Sequence, residues 1–222
     1  MIQYLDWDSD FFGFKIGKLT ITDNVEILPC VDEFKKFDFV YIFSTTPLNI
    51  TVPLIDIKVT FQKYTKKNEV STKVEEFQSH LHSYQELLEL AYLSGHDSRF
   101  LKDPFFGPTA FQRLYKKWID NAIAAKDTKV LVCVEQHKII GFVTYTIKND
   151  SVFIGLIAVS TEAQGKGVGK KLIDSVETNL SEDTLLIVPT QKTNIGACYF
   201  YHKLGFEILS THYIYHYESS SF

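Results

Sequence analysis

Between Val152 and Leu180 the chain changes its hydrophobic period in one continuous step. Val152 to Val159 is an almost unbroken apolar run with β-branched residues, long enough for a strand covered on both faces and too short for an ordinary helix. From Val168 the apolar positions are Val168, Leu172, Ile173, Val176 and Leu180, one face of a helix with Lys170, Lys171, Asp174 and Glu177 turned outward. The pattern predicts strand, loop, helix, and the loop reads Gln164-Gly165-Lys166-Gly167-Val168-Gly169.

The same periodicities organise the rest. Phe11 to Ile21 and Phe39 to Phe43 are rich in aromatic and β-branched residues and read as strands; a short helix over Val25 to Lys36 between them makes a small βαβ unit. Leu54 to Tyr64 alternates Ile55, Ile57, Val59 and Phe61 with Asp56, Lys58, Thr60 and Gln62, which predicts a half-buried strand. The polar stretch Thr65 to Lys73 reads as a linker. The expectation is a smaller N-terminal α/β domain over 1–66, a linker over 67–80 and a larger unit over 81–222. In that unit His82 to Leu93 predicts a helix ending near Gly95, and Phe111 to Ala125 a second one begun after Pro108-Thr109. Val130 to Glu135 and Ile139 to Lys148 read as strands paired around Gln136-His137-Lys138. Thr184 to Pro189 is a further apolar strand, Ile195 to Leu204 a helix closing at Gly205, and Glu218 to Phe222 a frayed end. The fold class is α/β, a mixed sheet with helices on its faces.

Composition adds exclusions. A chain of 222 residues that is 45% apolar supports a well-packed interior. Its net charge of −4 argues against nucleic acid, whose phosphate backbone calls for a strongly basic surface. Cys30, Cys133 and Cys198 are odd in number and widely spaced, offering neither a disulfide framework nor paired metal ligands, so no metal and a reducing cytoplasm are expected. Asp6, Asp8 and Asp10 replace the basic start of a signal peptide, and no apolar run nears the ~20 residues that span a bilayer. Neither secretion nor membrane insertion is expected.

Three alternate glycines at the opening of a helix each cost about 1 kcal/mol relative to alanine if packing is their purpose. What they permit is close approach. Backbone N–H groups freed of Cβ atoms can turn toward one point, where the positive end of the helix dipole adds to them, and a phosphate or pyrophosphate suits that place. The glycines alone leave open a flexible turn with no ligand. Two familiar phosphate loops do not fit: GxxxxGK[ST] is absent, and the third glycine of the dinucleotide fingerprint is missing. Nucleotide hydrolysis and hydride transfer lose ground accordingly.

The strand ending in Ala158-Val159, the QGKGVG loop and the amphipathic helix resemble the acetyl-CoA-binding segment of the GNAT acetyltransferase superfamily, whose pattern is Q/R-x-x-G-x-G/A; Gln164, Gly167 and Gly169 stand in its places. Asn194, Ala197, Tyr201, Gly205 and Phe206 match a second signature of that family, N-x-x-A-x-x-x-Y-x-x-x-G-F. The resemblance implies the GNAT acyl-CoA N-acyltransferase fold and acetyl-CoA as cosubstrate. It implies cofactor binding by Ala158, Val159, Gln164, Gly165, Lys166, Gly167, Val168, Gly169, Lys170, Asn194, Ala197 and Tyr201, and catalysis by Tyr201 with Asn194. Attack of an amine on a thioester gives a tetrahedral oxyanion and expels a thiolate that leaves more readily when protonated. A phenol of pKa about 10 keeps its proton at neutral pH, which suits Tyr201 as the acid, and N–H groups near Val159 are candidates to polarise the carbonyl. Many GNAT enzymes carry a basic carboxylate on the central strand, whereas Ser151 to Ser160 has none and Asp150 lies before it. His96, Asp97 and Glu135 are substitutes, or the amine loses its proton to water; the role stays unassigned.

In the N-terminal half, WDSDFFGFKIGKL at Trp7 to Leu19, IDIKVTF at Ile55 to Phe61 and SRFLKDP at Ser98 to Pro104 resemble the dTDP-fucosamine acetyltransferases and related acyltransferases of nucleotide-linked amino sugars. This implies an acceptor site of Phe11, Phe12, Lys58, Ser98, Arg99 and Phe100, with Arg99 as a bidentate phosphate or carboxylate donor and the phenylalanines as stacking faces. The implied activity is acetyl transfer from acetyl-CoA to the amine of a nucleotide-activated, dTDP-linked deoxyamino sugar, by direct attack in a ternary complex, for surface polysaccharide. A different amine (protein N-terminus, polyamine, aminoglycoside) and a non-catalytic acyl-CoA-binding module stay open, as does the oligomeric state, a homodimer included.

Overall fold

Asp6 and Asp8 stand where carboxylates favour the positive end of a helix, and Gly13 follows with φ 79°, the left-handed conformation that ends one. The computed structural model, which describes residues 1–22, 31–66, 74–149 and 151–219, accordingly has β1 (Gln3–Tyr4), then helix α1 (Asp6–Phe12), and only then β2 (Ile16–Ile21). Phe11 and Phe12, read from sequence as the start of a strand, are thus helical. The chain continues through α2 (Val31–Phe34) to β3 (Phe39–Ser44), which pairs in parallel with β2 and so completes the βαβ unit. Positions 25–30 of the expected helix, Cys30, positions 67–73 of the expected linker, Asp150 and the tail 220–222 lie outside the described residues.

β4 (Leu54–Tyr64) has the expected bounds, and β5 (Val74–Glu76) follows within the stretch expected as linker. Helix α3 (Tyr84–Ser94) is capped by the Ser83 hydroxyl, which accepts from the Glu86 N–H at 3.3 Å. Ser98 caps the short α4 (Arg99–Lys102) in the same way. Helix α5 (Gly107–Ala124) begins a turn before Phe111 because Pro108 falls in its first turn, where no N–H is required. Strands β6 (Thr128–Glu135) and β7 (Lys138–Lys148) meet at Gln136 and His137, both at positive φ as a tight hairpin requires. Then come β8 (Ser151–Val159), a 3₁₀ turn at Thr161–Ala163, α6 (Val168–Thr178), β9 (Leu185–Gln191), α7 (Ile195–Lys203) and β10 (Glu207–Glu218).

Among the described residues these strands form one mixed sheet of ten, in the order β1-β2-β3-β10-β4-β9-β8-β7-β6-β5. The last strand lies between β3 and β4, antiparallel to both, so the segments expected as two domains share a sheet. Helix α6 covers one face, burying Val168, Leu172, Ile173 and Val176 in a core that also holds Val143, Val188 and Tyr201 of α7. On the other face α3 and α5 press Leu87, Leu88, Ala91 and Ile119 onto Val130, Val132 and Phe142. Beside them Phe100, Phe106, Phe111 and Tyr115 close over Phe39 and Tyr41.

One irregularity makes room for a site. Val143 faces Ile157 while Tyr145 faces Ile154, so β8 carries an extra residue near Gly155. Past this bulge the strand leaves its parallel neighbour: β8 and β9 pair from Ser151–Leu185 to Phe153–Ile187 and no further. Facing changes too, with Ile154 in the α6 core and Ala158 in the α3–α5 core.

Candidate active site

A cavity of about 1260 Å³ occupies the gap between β8 and β9. It is lined by the glycine loop and α7 on one side and by Asp56, Lys58, Ser98, Arg99, Phe100, Tyr115 and Trp118 on the other. The two predicted groups are therefore brought together. Ala158, Val159, Gln164, Gly165, Gly167, Val168, Gly169, Lys170, Asn194, Ala197 and Tyr201 line it, as do Lys58, Ser98, Arg99 and Phe100. Lys166 is exposed and does not. Phe11 and Phe12 lie behind the wall: Phe11 stacks on Trp7, and Phe12 packs on Phe100 and Phe106.

In the loop the glycines divide their work. Gly165 and Gly167 take φ 74° and 80°, and a Cβ on either would meet nothing within 4 Å. They supply a left-handed backbone next to open space. Gly169 instead allows packing, since its Cβ would come within 3.1 Å of the Phe200 ring. Gly167 is the N-cap of α6 and has no side chain to cap the first N–H groups, which are left for a ligand or solvent. The Gln164 amide donates to the Val159 carbonyl at 3.2 Å and ties the loop to the end of β8. Positive φ, open space and uncapped donors are what a pyrophosphate needs, so the loop fits the CoA of the resemblance.

Tyr201 is 2% exposed yet lines the cavity. Its ring is held by Phe61, Phe200 and Phe206 at centroid distances of 5.6, 5.3 and 5.6 Å. Burial pushes its phenol well above the usual tyrosine range, which keeps the proton on the oxygen. Asn194 Oδ1 accepts the Ala197 N–H at 3.0 Å, capping α7 and orienting the helix that carries Tyr201.

Across the gap, Asp56 and Lys58 on the polar face of β4 look into the cavity. Asp56 is 8% exposed, and burial raises its pKa although the Arg99 charge opposes the shift. Lys58 is shifted down by burial and then by Arg99 and Lys18. The Arg99 guanidinium lies over Phe100 and Tyr41 at 4.4 and 5.0 Å, with its Nε buried and unpartnered. Asp8 approaches the buried Tyr41 hydroxyl without closing a hydrogen bond of good geometry, and burial raises both groups. Beneath them His216 Nδ1 is paired with the Asp103 carboxylate; burial lowers the imidazole to about 4, while hydrogen bonds from His216 and the Phe105 N–H outweigh burial and hold Asp103 low.

Of the candidate bases, Glu135 does not line the cavity, whereas His96 and Asp97 do. Asp97 is engaged by His96 at 2.9 Å and by Lys102 at 2.7 Å. Lys102 also reaches the Thr193 hydroxyl at 3.1 Å, joining α4 to the loop before α7. Asp56, by contrast, has no ion pair among the described residues. Sequence reasoning placed it on an outward polar face; the signal was a carboxylate two positions from Lys58 on a strand long enough to be central. Among the described residues no His, Cys, Asp and Glu group could hold a metal, and no helix is long and apolar enough to cross a membrane.

Residues 86–206, more than half of the chain, match the model of the acetyltransferase (GNAT) family. The spore coat polysaccharide biosynthesis protein SpsD of Bacillus subtilis (strain 168) is 25% identical over 134 residues, 59% of this chain and 46% of SpsD. The chain thus matches less than half the length of this curated relative. Among solved structures, a functionally unknown conserved protein from Staphylococcus epidermidis ATCC 12228 is similar with a TM-score of 0.61 at 14% identity, over 91% of this chain and 83% of that one. An acetyltransferase from the GNAT family of Colwellia psychrerythraea is similar with a TM-score of 0.51 at 13% identity, over 81% of this chain and 64% of that one. Identities so low speak for a shared fold alone, and it is the family match that carries the assignment: the chain belongs to the GNAT family of acetyltransferases.

Proposed function

We propose that this enzyme transfers acetyl from acetyl-CoA to the amine of a nucleotide-activated deoxyamino sugar, in a ternary complex, for surface polysaccharide. The observation that carries the reading is one cavity joining an uncapped glycine loop and a buried tyrosine to Asp56, Lys58 and Arg99 across the splayed strands. A relative named for polysaccharide biosynthesis agrees with it.

The α6 N–H groups and Gly165 to Gly169 hold the CoA pyrophosphate, and Gln164 fixes that loop against β8. Acetyl-CoA supplies a thioester carbonyl as the acyl donor. Asp56 faces the acceptor and takes a proton from its ammonium, which frees the nitrogen lone pair for attack. As the C–N bond forms and the C–S bond breaks, Tyr201 gives its proton to sulfur; the second proton lost by nitrogen returns through solvent to the phenolate, and Asp56 releases the first to bulk water. Burial of both groups suits the division of labour, since it holds Tyr201 protonated and makes Asp56 a better base than a surface aspartate.

A mass-spectrometric screen of dTDP- and UDP-linked amino sugars with acetyl-CoA tests the reading. An acetylated nucleotide sugar is expected; turnover confined to polyamines, aminoglycosides or peptide N-termini would replace the acceptor.

A further inference from the structure

Lys18 of β2, Lys58 of β4, Arg99 of α4 and His212 of β10 come from four separate elements and meet beside the acceptor half of the cavity. Lys58 and His212 are direct cross-strand partners. Lys18 Nζ lies 4.7 Å from the centre of the Phe43 ring, and the Arg99 guanidinium lies 5.8 Å from the same centre. Burial and then the charges of Arg99 and Lys18 depress Lys58; burial, Lys58 and Lys18 depress His212. Two acids feel the Arg99 charge, Asp8 and Asp56, and neither is within ion-pair distance of it. Among the described residues none of the four basic groups has an ion-pair partner, in a chain with 27 acidic residues and a net charge of −4.

Three cations and an imidazole gathered without a contact ion pair repel one another, and the Asp56 charge offsets the depression of Lys58 only in part, an arrangement that a bound anion relieves. We propose that Lys18, Lys58, Arg99 and His212 form an anion subsite for a phosphate ester or diphosphate carried by the acceptor. The subsite rests on reading the cavity as an acyl-transfer site entered by the acceptor from the α4 face. A carboxylate would be satisfied by Arg99 alone, through its fork. The four groups instead span β2 to β4, three strand spacings or roughly 14 Å of sheet, a breadth suited to several phosphate oxygens. Asp56 lies two residues from Lys58 on the same face of β4, about 6.6 Å along the strand. Asp56 thus lies between the levels of Lys18 and Lys58 in the sheet, about one sugar ring from the basic groups, so that one acceptor can offer its amine to the carboxylate and its phosphates to the cations.

The test is calorimetric titration of thymidine diphosphate into protein saturated with CoA, so that the pyrophosphate loop is already filled, with thymidine monophosphate and inorganic pyrophosphate as separate arms. Saturable one-to-one binding is expected, weakened about tenfold or more by Lys18→Gln and by Lys58→Gln, the loss of one charged contact each. Pyrophosphate binding as tightly as the nucleotide would show that the phosphates alone are read; monophosphate binding as tightly would reduce the subsite to one phosphate ester. No saturable heat with any of the three, or heat unchanged in both variants, overturns the proposal. Melting curves confirm that the partly exposed lysines have been replaced without unfolding. Diphosphate binding with no acetyl transfer to any nucleotide-linked amino sugar would remove the acceptor proposed above and keep the subsite. Equal kcat/KM for free and nucleotide-linked amino sugars would keep the acyltransferase and remove the subsite.

Discussion

The Thr144 hydroxyl accepts the Leu156 N–H at 2.8 Å beside the bulge that turns β8 away from β9. A side chain thus satisfies a donor at the point where the strand leaves its neighbour, which lets the gap exist without an orphaned backbone group. Thr144→Val keeps much of the shape and removes the acceptor. The expected loss is about 1–3 kcal/mol, seen as a lower urea midpoint at unchanged slope. A parent-like midpoint would mean that the bulge holds without this bond.

Gly167 separates conformation from space. Its φ of 80° disfavours a β-branched residue, while nothing lies within 4 Å of a Cβ built there. Gly167→Asn tolerates that backbone and should melt near the parent; Gly167→Val should be strained by about 1–2 kcal/mol. Both place atoms where the pyrophosphate would approach the α6 N–H groups. Calorimetry should show acetyl-CoA bound at least about tenfold more weakly by the asparagine variant. Parent-like affinity in that variant would mean that the loop has been misassigned.

Local signals made this half of the site legible. A glycine loop before an amphipathic helix, and an asparagine seven residues before a tyrosine, lie within short windows and fix their own geometry. The acceptor half is built by long-range pairing. β10 places His212 and His216 beside residues more than 150 positions earlier, and no periodicity reports which strand enters between β3 and β4. Asp56 read as solvent-facing because alternation gives the two faces of a strand without saying what covers them. Phe11 and Phe12 sit in an aromatic-rich stretch that favours strand by propensity, and Asp6, Asp8 and Gly13 override it with helix-end chemistry. Gly169 looked like its two neighbours in the loop, yet the Phe200 ring that requires it belongs to another helix.

His216 predicts the acid response of the fold. Burial lowers its folded pKa to about 4 from an ordinary 6.5, so the unfolded chain binds the proton more readily. The resulting stability is complete above about pH 6.5 and is lost as pH falls toward 4, by at most about 3 kcal/mol. Asp103, also held low, extends the loss below that window, whereas the raised Asp8 and Asp56 work against it. Urea unfolding at stepped pH should show the decline, and His216→Gln should flatten it between pH 6.5 and 4. An unchanged slope in the variant would place the titration elsewhere.

Asp56 is expected to set the acid limb of activity. As a proton acceptor it works ionised, so kcat/KM should rise with pH through a pKa above the usual aspartate value. Asp56→Asn keeps the volume and removes the charge; activity should fall about 10²- to 10⁴-fold, and the limb should disappear. If the limb survives in the variant, the amine or Asp97 governs it.

Tyr201 and Tyr199 share a helix and differ in burial and in what packs against the ring. Both line the cavity, but Tyr201 is 2% exposed and caged by three phenylalanine rings, whereas Tyr199 is 68% exposed. Two residues separate them, about 200° around the helix. Thiolate expulsion needs a proton at sulfur, and the buried phenol holds one throughout the neutral range, so its own titration should not limit turnover there. Tyr201→Phe deletes the hydroxyl and keeps the ring among Phe61, Phe200 and Phe206. The expected result is a kcat about 10²- to 10⁴-fold lower, with the KM for acetyl-CoA and for the acceptor little changed. Tyr199→Phe should leave turnover near the parent. Steady-state assays of both variants, with melting curves to show that each remains folded, decide the matter: a near-parental kcat in Tyr201→Phe would remove this residue as the acid and leave sulfur to be protonated by solvent.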